Sequence, residues 1–224
     1  MKKIIKILSA IIMMFTLASC ETKLNFIMEE SEGQKIYTIE NTKFKESSEE
    51  TNLVLINVKN KGAMVAELYP DIAPITVKNF KKLICENFYD GLTFHRVINN
   101  FMIQTGDPTG TGIGGSEENI KGEFELNGVK NNLSHTRGVL SMARRGANPD
   151  TEETMNSASS QFFIVHADSD FLDGSYASFG KVIHGLEVID LIAKVQTDEN
   201  DKPLTDVIID EIIFLEEKEE SKWF

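Results

Sequence analysis

The chain has 224 residues, of which 41% are hydrophobic and 26% are charged, a balance that fits a globular protein with one sizeable core. Its formal net charge is −12, and this acidity argues against nucleic acid as a partner, because phosphate binding needs clustered Lys and Arg. We therefore expect one folded domain that binds no nucleic acid.

The first nineteen residues have the pattern of a secretory signal peptide. Three lysines form a basic start, residues 4–17 are mostly apolar, and small residues precede Cys20. The apolar run is shorter than the roughly 20 residues that cross a bilayer. The ending Leu-Ala-Ser-Cys resembles a bacterial lipobox, which implies a lipid on Cys20 and an extracytoplasmic, membrane-anchored lipoprotein. Removal of residues 1–19 takes away the three lysines and gives a mature charge of −15.

The rest of the chain divides by composition into three parts. Residues 20–50 are polar and predict a tether, with a short strand possible near 36–39. Residues 51–216 predict the folded domain, and 217–224 a charged, solvated tail. Once Cys20 carries lipid, Cys85 is the one remaining cysteine of the sequence, so no internal disulfide is expected. We predict that Cys85 is a small buried hydrophobic residue.

Apolar periodicity within the domain predicts eight strands and two helices. One helix begins at Pro74, and the second spans 186–195. Many short strands with only two helices favour a mainly β fold, a closed antiparallel barrel. The predicted strands are 53–58, 63–68, 92–97, 101–104, 138–142, 161–165, 177–182 and 207–215.

The stretch 93–107 places one cation, one amide and several large apolar groups on two short β-prone runs, a mixture that suits a groove for an uncharged peptide. Strand alternation predicts that Phe94 and Arg96 share one face, and that Met102 and Gln104 share another. An arginine beside an apolar run is also commonly a surface residue with a packed stem, so this stretch alone leaves both interpretations open.

Three further motifs decide between them. Residues 138–144 read Gly-Val-Leu-Ser-Met-Ala-Arg, 159–165 read Ser-Ser-Gln-Phe-Phe-Ile-Val, and 171–180 read Phe-Leu-Asp-Gly-Ser-Tyr-Ala-Ser-Phe-Gly. With the stretch 93–107, they resemble the cyclophilin family of peptidyl-prolyl cis-trans isomerases, in the family's order, over roughly residues 52–215.

The resemblance implies a closed eight-stranded antiparallel barrel capped by two α-helices, with a peptide groove on its outer face. It implies that Arg96 and Gln104 are catalytic, that proline-containing segments of exported proteins are the substrates, and that the protein is a monomer. The residues implied to bind the peptide line the proline pocket, the polar side of the groove and its far rim: Phe101, Met102, Ala143, Arg144, Gln161, Phe163, Phe171, Leu172 and Tyr176.

The chain departs from the family pattern at four places. Phe171 stands where many eukaryotic members have tryptophan, so weaker cyclosporin binding is expected, because the indole N–H donor is missing. Tyr176 replaces a frequent histidine, Arg144 replaces a commoner small polar residue, and the loop 144–158 is longer than in compact members. We interpret the loop as a tolerated surface insertion rather than a modulator of substrate access.

Other functions are disfavoured by the same residues. The glycine-rich run 110–115 resembles a phosphate loop but no lysine follows at the required spacing, and the four histidines are too scattered for a metal site. No metal or other cofactor is therefore expected. A proline-peptide binding module or adhesin remains the main alternative, although a binder would not need Arg96. A solute-binding lipoprotein is disfavoured because one barrel offers no two-lobed cleft.

Overall fold

The computed structural model describes residues 25–31, 33–146 and 148–218. In these ranges eleven strands pair antiparallel in one sheet, accompanied by three α-helices, α1 (Pro74–Cys85), α2 (Glu152–Met155) and α3 (Leu186–Ala193). The strands are β1 (Phe26–Ser31), β2 (Gln34–Ile39), β3 (Thr42–Glu46), β4 (Leu53–Val58), β5 (Gly62–Leu68), β6 (Arg96–Ile98), β7 (Met102–Thr105), β8 (Val139–Met142), β9 (Phe162–Val165), β10 (Ser178–His184) and β11 (Ile209–Glu217).

The mainly β fold with few helices is confirmed, but the strand ladders of the described residues form an open order, β1-β2-β3-β11-β4-β5-β10-β8-β9-β7-β6. The strand predicted over 92–97 forms only at β6. Before β6 the chain reaches the start of β11 through individual backbone bonds, from Gly91 N–H to Ile209 O (2.9 Å), from Ile209 N–H to Leu92 O (2.8 Å) and from Phe94 N–H to Val207 O (2.9 Å).

The tether prediction is wrong over residues 26–46, which form β1, β2 and β3 and extend the sheet from β11. The cause is a small second core that the polar composition concealed. Tyr37 and Phe44, each 1% exposed, pack against Leu55, Val65 and Leu215 of the neighbouring strands. Successive side chains of a strand alternate between its two faces, and the polar residues of this region lie on the exposed face. Composition alone therefore suggested a solvated segment.

The main core lies between the sheet and the two longer helices. α1 contributes Val77 and Phe80, and α3 contributes Val188 and Ile192, all at helical spacing and all buried. Cys85 is exposed at the end of α1, so its predicted burial is wrong, since it lies one residue beyond the apolar stripe.

The strands β7 and β9 carry the core on one face and a second apolar cluster on the other. Ile103 and Ile164 point into the main core, while Met102 and Phe163 belong to the second cluster with Leu172. Because successive side chains alternate across a strand, the groove residues are built on the outer face of the same strands that hold the core. The site therefore rests on a buried part of the sheet.

Several sequence predictions concern residues outside the described ranges. These are the signal peptide 1–19, the lipidated Cys20 and the tail from 219 onward. Within the described ranges, no helix has the length and apolar character needed to cross a membrane.

Candidate active site

The β6–β7 hairpin places a cation beside an amide. In the antiparallel register Arg96 lies opposite Gln104, and Ile98 lies opposite Met102. The connection is tight, with Phe101 N–H donating to Ile98 O at 3.1 Å and Asn100 in the left-handed region at φ +61°. Cross-strand neighbours of this kind lie about 4.5–5.5 Å apart at their Cβ atoms, so one ligand can touch both side chains.

The predicted alternation before Arg96 is wrong. Phe94 is 1% exposed and belongs to the main core together with Val97, whereas Arg96 lines the surface pocket. Strand geometry begins only at Arg96, so the two-residue period does not extend back to Phe94. Met102 and Gln104 do share a face, as predicted, because both lie within β7 and both line the pocket.

A pocket of about 330 Å³ opens beside the hairpin and gathers nine of the eleven residues predicted to act on or bind the peptide. Gln161 and Phe171 do not line it. Four lining residues were not predicted from the sequence. They are His95 before Arg96, Thr111 and Gly112 of the glycine-rich run, and Asn200 of the turn before β11. The pocket is lined by His95, Arg96, Phe101, Met102, Gln104, Thr111, Gly112, Ala143, Arg144, Phe163, Leu172, Tyr176 and Asn200.

Gln161 acts behind the pocket wall by fixing the amide of Gln104. Gln104 Nε2 donates to Gln161 Oε1 at 2.8 Å, and Gln161 Nε2 donates to Gly112 O at 3.0 Å and to Gly114 O at 2.7 Å. Within the described ranges, one of the two N–H donors of Gln104 has a partner, and the other is left for a ligand. Gln161 is 8% exposed, so these bonds are partly shielded from water.

The glycine-rich run wraps around a carboxylate of the protein itself. Asp107 is 1% exposed and accepts hydrogen bonds from the backbone N–H groups of Thr109 (2.7 Å), Thr111 (3.0 Å), Gly112 (2.6 Å) and Gly114 (3.2 Å). Burial alone would raise the pKa of this carboxyl, but the hydrogen bonds outweigh it and lower the pKa to about 2. The run is therefore a turn that supports the groove, and Asp107 occupies the amides of Thr111, Gly112 and Gly114.

Arg144 forms part of the pocket wall rather than an open contact surface. Its side chain is only 4% exposed and makes two bonds to the carboxylate of Asp150, at 2.8 and 2.9 Å. Its Nε donates to Ser175 O at 3.0 Å, and its guanidinium lies 4.9 Å from the ring centre of Tyr176. The hydrogen bonds to Asp150 raise the pKa of Arg144.

This arrangement also locates the long loop 144–158. Through Asp150 the loop is attached to the pocket wall, and its short helix α2 begins with a capping box between Thr151 and Thr154. The loop therefore lies beside the groove and is not a surface insertion remote from the site.

The rim residues differ in their exposure. Leu172 is 8% exposed and lines the pocket, whereas Phe171 is 69% exposed and stands outside the lining. The Phe171 ring lies 5.5 Å from that of Phe101, tilted by 33°. An aromatic pair at this separation is attractive, so Phe171 supports Phe101 from the solvent side.

A buried hydrogen-bonded group lies beneath Phe163. The ring of His135 stacks on it with centroids 6.0 Å apart, Nδ1 lies 2.7 Å from Asp173 Oδ1, and Nε2 lies 2.9 Å from Ser141 Oγ. Ser141 is fully buried, so this Ser-His-Asp arrangement cannot meet a substrate. Burial lowers the pKa of His135, although Asp173 opposes this effect, and the buried ring is a structural support for Phe163.

His95 is the buried neighbour of Arg96. It is 6% exposed, and among the described residues no group forms a hydrogen bond of good geometry with either ring nitrogen. Burial lowers the pKa of His95. Its position next to Arg96 in the sequence was the only signal that could have identified it as a pocket residue.

Comparison with known proteins gives a consistent result. Residues 53–213 match the family model described as cyclophilin type peptidyl-prolyl cis-trans isomerase/CLD. The chain is 42% identical over 154 residues to a peptidyl-prolyl cis-trans isomerase of Arabidopsis thaliana, covering 68% of this chain and 90% of the relative. It is 46% identical over 149 residues to a peptidyl-prolyl cis-trans isomerase-like 1 of Neurospora crassa, covering 66% and 85%.

Solved structures agree with these sequence matches. A cyclophilin-type isomerase of Cryptosporidium parvum superposes with a TM-score of 0.66 at 33% identity, covering 75% of this chain and 99% of that one. The same protein crystallised with the dipeptide Ala-Pro gives a TM-score of 0.64 at 34% identity, covering 72% and 97%.

The carboxyl of Asp107 makes stability depend on pH. Its pKa is about 2 in the folded protein and about 3.9 in an unfolded chain, so its contribution is complete above the unfolded value and is lost as pH falls towards 2. We expect Asp107→Asn to lower the free energy of unfolding by roughly 2 kcal/mol at pH 7, and by progressively less below pH 4.

Urea unfolding from pH 2 to pH 8 measures this difference, and Asp71→Asn, at an exposed position, is the matched control. An Asp107→Asn protein with wild-type stability at every pH would contradict the prediction.

Proposed function

The chain belongs to the cyclophilin family of peptidyl-prolyl cis-trans isomerases, and from that premise we propose that the pocket beside Arg96 is where it rotates X-Pro bonds. The observation that carries the proposal is the register of the β6–β7 hairpin. It sets the cation of Arg96 opposite the amide of Gln104, at the edge of an apolar pocket that includes Phe163.

The energy required defines what the pocket must supply. Rotation about an X-Pro bond must cross roughly 18–20 kcal/mol, and without a catalyst takes tens to hundreds of seconds. Turnover in milliseconds needs a barrier lower by roughly 6–7 kcal/mol, at 1.36 kcal/mol per tenfold change in rate. No covalent bond forms or breaks in this reaction, so its chemistry requires neither a nucleophile nor a metal.

Arg96 is proposed to act on the twisted transition state. When the bond twists, amide resonance is lost and the proline nitrogen acquires a free lone pair, to which a permanently charged guanidinium can donate. The planar ground state offers no such lone pair, so the interaction lowers the barrier. One charge-assisted hydrogen bond contributes only about 1.5–3 kcal/mol, and other groups must supply the rest.

The remaining stabilisation is proposed to come from preorganisation. Phe101, Met102 and Phe163 would hold the proline ring and exclude water, which strengthens the electrostatic interactions of Arg96. The second N–H of Gln104 would position the peptide carbonyl, with its direction set by Gln161. Arg144, which is bound to Asp150, would shape the pocket wall without donating to the peptide.

We further propose that the eight strands β4–β11 close into a barrel, supported by the backbone bonds between residues 91–94 and 207–209. The proposed substrates are proline-containing segments of exported proteins. The signal-peptide pattern of residues 1–19 and the lipobox at Cys20 support this, because they predict an extracytoplasmic enzyme on a lipid anchor. A monomer is proposed from the family resemblance alone.

Cyclosporin binding is proposed to be weaker than in members with tryptophan at the position of Phe171. Phe171 has no N–H donor and stands 69% exposed at the rim. A calorimetric titration should show weak binding by the wild type and tighter binding by Phe171→Trp. Nanomolar binding by the wild type would contradict this proposal.

Replacement of Arg96 tests the catalytic proposal. We expect Arg96→Ala to lower kcat/KM for a proline tetrapeptide roughly ten- to hundredfold, the equivalent of one charge-assisted hydrogen bond. Arg145→Ala is the matched control, because this exposed arginine pairs with Glu153 and does not line the pocket. The enzymatic role of Arg96 fails if Arg96→Ala keeps the full rate. A wild-type protein that binds the peptide without turnover would favour the binding-module alternative.

Replacement of Cys20 tests the anchor separately. Cys20→Ser removes the thiol that a diacylglyceryl group needs, so we expect the variant to lose label from radioactive palmitate in the cells that produce it. Cys85→Ser is the control and should keep the label, because it leaves the lipobox intact. Equal labelling of the Cys20→Ser protein and the wild type would rule out lipidation at Cys20.

A further inference from the structure

We propose that Asp201 is a positioning residue that holds the guanidinium of Arg96 by its Nε edge and leaves the two terminal nitrogens to the substrate. Asp201 Oδ2 lies 3.5 Å from Arg96 Nε. A guanidinium is planar and carries its donors in a fixed fork, so a contact at Nε restricts the direction of the other N–H groups. This inference rests on the proposed function, because it assumes that Arg96 acts on the peptide.

The turn that carries Asp201 is built by its own hydrogen bonds. Asp198 Oδ1 accepts from the backbone N–H of Asn200 at 2.8 Å and from that of Lys202 at 2.9 Å, and Asp198 N–H donates to Lys202 O at 2.8 Å. Asp201 itself lies in the left-handed region at φ +63°. Asp is one of the few residues besides glycine that adopt this conformation readily, so the turn closes without strain and holds its backbone in one shape.

The same turn is joined to the strand that presents Arg96. Val97 N–H donates to Asp201 O at 2.8 Å, so the residue after Arg96 is bound to the backbone of Asp201. Asn200 lines the pocket itself. The backbone of Asp201 is therefore fixed beside β6, and this places its carboxylate within 3.5 Å of Arg96 Nε at the edge of the groove.

The simplest alternative is an ordinary surface ion pair. The Arg96 and Asp201 side chains are 43% and 42% exposed, and pairs of this kind contribute little to stability. An effect on kcat would separate two roles of Asp201. Its negative charge weakens the positive potential of Arg96 at the substrate, so if that potential limits kcat, removal of the charge should raise kcat. If the orientation of the guanidinium limits kcat, removal of the charge should lower it.

The test is Asp201→Asn, measured as kcat and KM for a proline tetrapeptide with the purified full-length protein. Asn tolerates the left-handed conformation and keeps the side-chain size, so only the charge is lost. We expect kcat to fall about two- to fivefold with little change in KM, the range that an exposed pair supports. Asp201→Gly keeps the backbone freedom without the side chain and should lose at least as much.

Glu199→Gln is the matched control, because it removes the same charge from an exposed position of the same turn and should keep wild-type kcat. A second readout follows the contact directly. The Nε–H resonance of Arg96, assigned by its loss in Arg96→Lys, should shift in Asp201→Asn and stay unchanged in Glu199→Gln.

Two results would overturn the proposal: a kcat in Asp201→Asn equal to or above that of the wild type, or an unchanged Arg96 Nε–H resonance in that variant. Failure of the proposed function looks different, because the wild type would then be inactive while the resonance still reported whether Asp201 holds Arg96.

Discussion

The hydrogen bond from Gln104 Nε2 to Gln161 Oε1, at 2.8 Å, is the interaction on which the groove depends. On one side, Gln104 lies opposite Arg96 in the β6–β7 register. On the other, Gln161 holds the carbonyls of the glycine-rich run, whose amides in turn surround the buried carboxylate of Asp107. One continuous set of hydrogen bonds thus connects a buried anion to the amide of Gln104, the cross-strand neighbour of Arg96. Because these bonds are partly shielded from water, they fix direction as well as add stability.

In the proposed mechanism, this arrangement lets a weak individual donor serve a reaction with a high barrier. A single charge-assisted hydrogen bond supplies less than half of the roughly 6–7 kcal/mol that millisecond turnover needs. Preorganised dipoles and an apolar pocket supply more because they need no rearrangement when the amide twists. The strands β7 and β9 make this possible by carrying the main core on one face and the groove on the other, so the pocket floor at Phe163 is packed against the core beneath it.

The sequence predicted those parts of the molecule that depend on local pattern. The strand limits of β4 and the helix beginning at Pro74 were correct, because alternation and a helix-start proline act within a few residues. The strands β1 and β3 were missed, and β2 was foreseen only as a possible short strand near 36–39, because their core is shared with distant residues such as Leu215. Asn200 and Asp201 were missed for a related reason. A polar turn shows its relation to Arg96 only after the chain has folded, and nothing in its composition distinguishes it from solvated loops.

The central claim is that the groove is preorganised by the amide of Gln161, and the most direct measurement is the turnover of Gln161→Leu. Leucine has a similar volume but can neither accept from Gln104 nor donate to Gly112 and Gly114. The account predicts a fall in kcat of at least about fivefold for a proline tetrapeptide, in a protein whose circular dichroism remains that of the wild type. A correctly folded Gln161→Leu protein with full kcat would contradict it.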